Sequence, residues 1–352
     1  MLIISPSGKL YGSERVLLDY ITNTSLQFDI AVPSNSDLLE TVRQIKPKSA
    51  IIALNSRYVR FFYIKLLFSC VRRRYKKIYV NEGGHVKFIL LLARLFPAIQ
   101  FAIHIRIIED TATERWQFVK GKLPNNIKII TISNYLSQLI PFQNFIIPDP
   151  FIFNGHRISG VYDESQPFQI GIIGRVALSK GIGLLSYLME ELTKQHLTEK
   201  FNIHLFGEIS EDLPEEIKVF LNNNNAIVLH GYVKNNSAVY NGLHAVLHLS
   251  ETEPLGRVFF EAVDKGLPFI GINAGGIGET AKKYDCTELV IEPDEKRLMA
   301  IKLVEKLTMY RNNYKRYIDL ISRVRMEMSK HMSIADYCAR LDNIINTGKP
   351  LN

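Results

Sequence analysis

Two glutamates with seven residues between them, Glu253 and Glu261, flank a turn made by Pro254, Leu255 and Gly256 that leads into a helical run from Arg257. Carboxylates on either side of such a turn accept hydrogen bonds from vicinal hydroxyls. The glycine amide and the helix N-terminus between them favour an anion such as phosphate. Downstream, Lys265-Gly266-Leu267-Pro268 and then Gly275-Gly276-Ile277-Gly278-Glu279 complete the block. Upstream, Gly174-Arg175 and Lys180-Gly181 follow an apolar run, Gln169 to Ile173. An arginine fork and a lysine point charge at the mouth of a glycine turn can clamp a diphosphate. The plainer reading of that pair is two solvated cations in a loop. Taken together, the residues suit a diphosphate held between two polyols.

The same residues carry a resemblance. Glu-x7-Glu, Gly-x-Pro and Gly-Gly-x-x-Glu, with Gly-Arg…Lys-Gly ahead of them, resemble the donor site of the family 4 retaining glycosyltransferases of the GT-B fold, bacterial envelope-glycan type. The resemblance implies two Rossmann-like α/β domains facing across a cleft, with a C-terminal helix crossing back to the first domain. It implies that Arg175 and Lys180 neutralise the leaving nucleoside diphosphate. Glu261 would bind ribose hydroxyls and Glu253 those of the transferred sugar. Amides at Leu255, Gly256 and Arg257 would approach phosphate or sugar oxygens. Val233 would present backbone to the base, and Gly174 and Gly207 would let the nucleotide come close. Gly12, in Gly12-Ser13-Glu14-Arg15, resembles the turn that faces the donor phosphate from the first domain; Ser13 stands where the family has a second glycine and also reads as an ordinary helix cap. His104 resembles a histidine lining the cleft near the reacting sugar, although Ile105-Arg106 follows it where the family often has an acid. Ser133-Asn134 matches a loop-shaping pattern.

These residues need strand ends to stand on. The first half alternates short apolar runs (Leu2–Ile4, Phe28–Val32, Ala50–Leu54, Ile78–Val80, Phe101–Ile103, Ile127–Thr131) with helical periodicity. The second half repeats the pattern through Gln169–Gly174, Asn202–Gly207, Ala226–Gly231, Ala245–Leu249, Phe269–Ile272 and Leu289–Ile291. Such alternation predicts parallel sheets covered by helices. In open α/β sheets ligands bind at the carboxyl edge, where several of these runs end in glycine. A length of 352 residues calls for two domains. The expected division is 1–150 for the acceptor, 151–330 for the nucleotide-sugar, and 331–352 as a tail packing on the first domain. The linker is expected at Pro148-Asp149-Pro150 and the polar stretch 154–167.

Composition narrows the class. Apolar residues make up 47% and charged residues 22%, as in ordinary globular chains. Cys70, Cys286 and Cys338 are far apart and without zinc spacing, which argues for a reducing compartment. Met1 to Pro6 lacks the basic flank of a signal peptide and reads as a first strand. No Asp-x-Asp occurs, so charge neutralisation by Arg175 and Lys180, with no metal, is expected. Residues 1–150 carry 20 Lys/Arg against 10 Asp/Glu, while 151–352 carry 23 against 25. The excess positive charge thus lies in the first half and points to an anionic partner.

Much of it sits in 57–77, which has eight cations and no acid. At helical spacing Val59, Phe62, Tyr63, Leu66, Leu67 and Cys70 form one apolar stripe, and Phe61, Ile64, Phe68 and Val71 a second. One stripe docks a helix on a sheet. The second fits an anionic membrane surface; a deeply buried helix is the other reading. No nucleic-acid module is recognisable. The combined expectation is a cytoplasmic enzyme, peripheral on the inner face of the cell membrane. It would move a sugar from a UDP- or GDP-sugar to a lipid-linked or envelope-glycan saccharide. A GT-B sugar-nucleotide epimerase and a non-catalytic scaffold at the membrane stay open.

Overall fold

The computed structural model describes residues 1–351 apart from 11, 47–49, 55–58, 113–115, 117, 118, 120, 121, 155–161, 234 and 235. The chain divides into two compact units: Met1–Ile152 with Met332–Asn352, and Phe153–His331. Each is a parallel sheet between helices, the Rossmann-like arrangement that the alternating runs predict.

Unit 1 has strands β1 (Leu2–Ile4), β2 (Asp29–Pro33), β3 (Ile51–Leu54), β4 (Lys77–Val80), β5 (Gln100–Ile105), β6 (Ile127–Thr131) and β7 (Asn144–Ile146), in the order β3-β2-β1-β4-β5-β6-β7. Its helices are α1 (Gly12–Asn23), α2 (Asp37–Ile45), α3 (Val59–Arg73), α4 (Val86–Leu95) and the short α5 (Asn134–Leu139). Strand β7 is an addition to the sequence reading. Unit 2 has strands β8 (Phe168–Ile173), β9 (Phe201–Phe206), β10 (Ile227–Gly231), β11 (Ala245–Leu247), β12 (Phe269–Ile272) and β13 (Val290–Ile291), in the order β10-β9-β8-β11-β12-β13. Its helices are α6 (Gly183–Lys194), α7 (Glu215–Asn223), α8 (Asn236–Val239), α9 (Arg257–Lys265), α10 (Gly275–Lys283), α11 (Lys296–Asn312) and α12 (Tyr314–His331). The last helix, α13 (Ile334–Thr347), belongs to unit 1.

Every pairing in both sheets is parallel. Strand order reverses between β1 and β4 in unit 1, and between β8 and β11 in unit 2. Adjacent loops part there, leaving a crevice at the carboxyl edge.

In unit 1, right-handed crossovers place α1 and α2 on one sheet face and α3 and α4 on the other. Val16 and Leu17 of α1, Leu38 and Val42 of α2, and Tyr337, Leu341 and Ile344 of α13 share one buried cluster. Ser333 caps α13, its hydroxyl accepting from the Asp336 amide. On the opposite face the Tyr63 ring of α3 stacks on Phe88 of α4, with centroids 4.0 Å apart. Leu66 and Cys70 of α3 are buried, whereas Ile64, Phe68 and Val71 are exposed. The two sequence stripes thus separate into an inner and an outer one. Residues 57 and 58, and the side chains of Val59, Phe61 and Phe62, lie outside the described residues.

The segment expected to begin the linker also does a structural job. Asp149 is buried and pairs with buried Arg106 just past β5. The guanidinium also donates to Tyr337 of α13 at 2.8 Å and to the Asn81 carbonyl at 3.2 Å. Desolvation disfavours this charge, but Asp149 outweighs it, and Arg106 stays firmly protonated. Within the rest of the expected linker, 155–161 lie outside the described residues.

At the carboxyl edge of β4, Glu82 is enclosed. Ser13 Oγ lies 2.5 Å from Glu82 Oε1 and 3.0 Å from Glu14 Oε2. Ser13 is one residue inside α1, so its hydroxyl joins two acids instead of capping the helix as read from sequence. Burial first, then the nearby Glu14, pushes the Glu82 carboxyl up to about 7. A proton on Glu82 completes a chain in which Glu82 donates to Ser13 and Ser13 donates to Glu14.

Two outcomes are expected. Leu341→Ala should cost unit 1 about 2–5 kcal/mol and lower its calorimetric transition while leaving that of unit 2 in place. Glu82 keeps its proton in the folded state up to about pH 7 but loses it near 4.5 when unfolded. Its contribution is therefore full below pH 4.5 and is lost as pH rises to 7. Glu82→Gln should leave stability unchanged at pH 4 and raise it by about 1–3 kcal/mol at pH 8, measured by denaturant titration.

Candidate functional site

In unit 2 a cavity of about 120 Å³ opens at the carboxyl edge, where β8 and β11 diverge. Its walls come from Gly174, Arg175 and Val176 after β8, Lys180 and Ile182 in the following turn, His248 and Leu249 after β11, and Glu253, Gly256, Arg257 and Val258 at the start of α9. The fold thus brings together Gly174, Arg175, Lys180, Glu253, Gly256 and Arg257 of the expected set. Arg175 is exposed at the mouth.

Lys180 and Glu253 form the tightest polar contact of the cavity. Lys180 Nζ lies 2.6 Å from Glu253 Oε2, with the two side chains 35% and 16% exposed. Burial on its own would raise the Glu253 carboxyl. Lys180, His248 and the Gly256 amide outweigh it and hold Glu253 below the usual carboxylate range. Ser250 ties the two loops together, its hydroxyl donating to the Ser179 carbonyl at 3.1 Å.

Gly256 adopts φ +81° just before α9, a conformation that favours glycine. Its amide faces the Glu253 carboxylate. The glutamate thus stands near the positive end of the helix.

The Gly275-Gly276 pair of the motif braces this turn from behind. A Cβ on Gly276 would lie 2.2 Å from the Pro254 carbonyl oxygen, and the Gly276 amide donates to the Glu253 carbonyl at 2.8 Å. Its function in the fold is close backbone packing. The same applies at Gly207, where an added Cβ would meet the Gly174 carbonyl oxygen at 2.0 Å. Gly207 is thus filled by protein backbone. It shapes the Gly174-Arg175 turn and does not line the cavity.

Glu261 lies on α9, and its Oε2 accepts a hydrogen bond from Tyr240 at 2.6 Å. That bond fixes one carboxylate oxygen and leaves the other to accept from a ligand. Neither Glu261 nor Val233 lines the cavity described above; both are half-buried. Leu255 is buried and likewise off its wall.

In unit 1, Gly12 begins α1. His104 is fully buried within β5 in this structure. Nδ1 lies 3.0 Å from the Tyr79 hydroxyl and 3.1 Å from Arg106 Nη2. Burial first, then Arg106, holds its pKa well below the usual value, so the ring is neutral and Nδ1 accepts. Tyr337 of α13 accepts from the same guanidinium. Ser133 caps α5, its hydroxyl accepting from the Leu136 amide, which agrees with a loop-shaping part for Ser133-Asn134.

Among the titratable residues of the cavity wall, one was not singled out from sequence. His248 sits just past β11, is 6% exposed, and places Nε2 3.6 Å from Glu253 Oε2. Nothing in its local run, Val246-Leu247-His248-Leu249, distinguishes it from a strand residue. Among the described residues, no group of three or more His, Cys, Asp or Glu is placed to hold a metal ion.

Residues 159–320 match the family model described as glycosyl transferases group 1. No curated protein matches the sequence. Among solved structures, Anabaena Alr3699/HepE in complex with UDP and glucose is similar at 15% identity and a TM-score of 0.77, covering 98% of this chain and 99% of that one. The sucrose-phosphate synthase of Thermosynechococcus elongatus is 14% identical with a TM-score of 0.77, covering 98% of each chain. The apo form of the lipopolysaccharide outer core galactosyltransferase WaaB is 13% identical with a TM-score of 0.70, covering 99% of this chain and 100% of that one. At such identities the likeness is one of fold. Unit 2 carries a region matching glycosyl transferases group 1, on a chain that folds as GT-B glycosyltransferase structures do.

Proposed function

We propose that this chain is a retaining, metal-independent glycosyltransferase of family 4 type, acting on a nucleoside-diphosphate sugar. The observation that carries the reading is the convergence of Arg175, Lys180, Glu253 and Arg257 on one cavity where β8 and β11 diverge. Three cations there can neutralise a diphosphate as it leaves. Arg175 and Arg257 offer planar forks, and Lys180 a mobile point charge. Glu253 accepts from hydroxyls of the transferred sugar. Glu261, steadied by Tyr240, accepts from the ribose. The structural neighbour HepE was solved with UDP and glucose, and the pneumococcal O-GlcNAc transferase GtfA with UDP and GlcNAc. UDP is therefore the first nucleotide to try. The likeness to WaaB supports an envelope-glycan or lipid-linked acceptor.

The reading extends to the membrane. The outer stripe of α3 (Ile64, Phe68, Val71) and its neighbour α4 (Leu91, Leu95) leave apolar side chains 51–61% exposed. The two helices carry Arg60, Lys65, Arg72, Arg73, Lys87 and Arg94 and no acid. Apolar side chains among cations complement an anionic bilayer, with each cation near the surface contributing about 1 kcal/mol. No described helix is long and apolar enough to cross a membrane. A peripheral place on the inner, cytoplasmic leaflet fits a lipid-linked acceptor.

Glu261→Ala should weaken UDP binding at least tenfold by calorimetry, and Lys180→Ala should lower turnover about 10²-fold or more. Near-wild-type behaviour in both variants would refute the site. For the membrane, Phe68→Glu with Leu95→Glu should abolish co-sedimentation with phosphatidylglycerol vesicles, and wild-type protein should ignore phosphatidylcholine vesicles. Equal binding to both lipids, or a stable dimer broken by the same changes, would replace the lipid reading.

A further inference from the structure

Glu253 Oε2 faces two nitrogens. Lys180 Nζ holds it at 2.6 Å, while His248 Nε2 waits at 3.6 Å, just beyond hydrogen-bond reach. His248 Nε2 is buried and has no hydrogen-bond partner among the described residues. All three residues line the same cavity. A buried imidazole nitrogen left unsatisfied next to an occupied carboxylate oxygen costs free energy unless another state uses it.

We propose that His248 is a positioning residue that takes over Glu253 when Lys180 leaves it for the diphosphate of the donor. The inference rests on the nucleotide-sugar reading of this cavity. Lys180 cannot hold the glutamate at full strength and also neutralise a phosphate group. Its departure leaves a shielded carboxylate beside an incoming anion, the least favourable charge arrangement the cavity can adopt. An approach of about 0.7 Å turns the His248 contact into an N–H···O bond of ordinary length. The shift keeps Oε2 satisfied. Glu253 lines the cavity, where a sugar hydroxyl can donate to its second oxygen.

The surroundings fit this exchange. Burial lowers the His248 pKa, Lys180 lowers it further, and Glu253 opposes both, so the ring is neutral while the lysine is close. Removing the lysine while keeping the glutamate makes the ring more basic. Arg175 and Arg257, the other charged groups on the cavity wall, act against that rise, and the incoming phosphates act with it. The Phe269 ring, 6.4 Å from the imidazole and inclined by 25°, lies alongside it.

The test is UDP affinity by calorimetry, with a double-mutant cycle. Wild-type protein that binds no UDP would remove the nucleotide-sugar reading and this inference together. Given wild-type binding, His248→Phe should weaken UDP about tenfold or more, since the displaced carboxylate loses its partner. His248→Gln, whose amide places an N–H near the same point, should recover most of that loss. In a Glu253→Gln background, His248→Phe should cost less than about twofold. Unchanged affinity in His248→Phe would overturn the proposal alone. So would a loss that persists undiminished in the Glu253→Gln background, because the histidine would then be serving the wall of the cavity and not the glutamate.

Discussion

Backbone packed against backbone is the constraint on which the unit 2 site depends. At Gly276 the chain comes so close to the carbonyl of Pro254 that a methyl group has no room. That contact fixes the turn before α9, and the turn fixes Glu253 against the Gly256 amide. Lys180 and His248 can then meet one carboxylate oxygen only because the loop after β11 has nowhere else to go. Electrostatics refines the geometry; steric exclusion sets it. The glycines of the motif therefore serve the ligand indirectly, by placing the side chains that would touch it.

Unit 1 is organised differently. Its equivalent edge holds Arg106 and Asp149 deep in protein, with Tyr79, Tyr337 and His104 around the guanidinium. A buried pair of this kind is costly to break from one side, because the partner is left charged and dry. The network draws on β4, β5, the stretch after β7 and α13. It therefore reports whether all four are in place. The acids at Ser13 sit on the same edge, joined through its hydroxyl.

Much of this was legible in the sequence, and the unreadable part has a common cause. Alternating apolar runs gave both sheets because hydrophobic periodicity is a local property. The two stripes of α3 separated correctly, Leu66 and Cys70 inward and Ile64, Phe68 and Val71 outward, for the same reason. Arg175, Lys180 and Glu253 were found through spacing within short loops. The surroundings of His104 were not legible, because they come from Tyr79 on another strand and from Arg106. Arg106 looked like a departure from an acidic pattern until Asp149 appeared as its partner. The tight packing of Gly207 on the Gly174 carbonyl was not legible, because the two lie on different strands. His248 carries no local signature at all; its meaning comes from a carboxylate delivered by a different loop. Long-range contacts of this sort leave no trace in period or spacing.

The chain passes twice between its two units, once after Ile152 and again before Met332. On the ribosome this has a kinetic meaning. Unit 2 is complete before α13 has been made, whereas the earlier-synthesised unit lacks Tyr337, Leu341 and Ile344 from its interior until the final stretch emerges. Its core therefore waits, with an apolar groove uncovered, through the synthesis of the entire other unit. Closing a loop that long adds only modest entropy, because each doubling of length costs about 0.6 kcal/mol. The delay is one of time more than of free energy, and through it a sheet with all seven strands stands without its last covering helix.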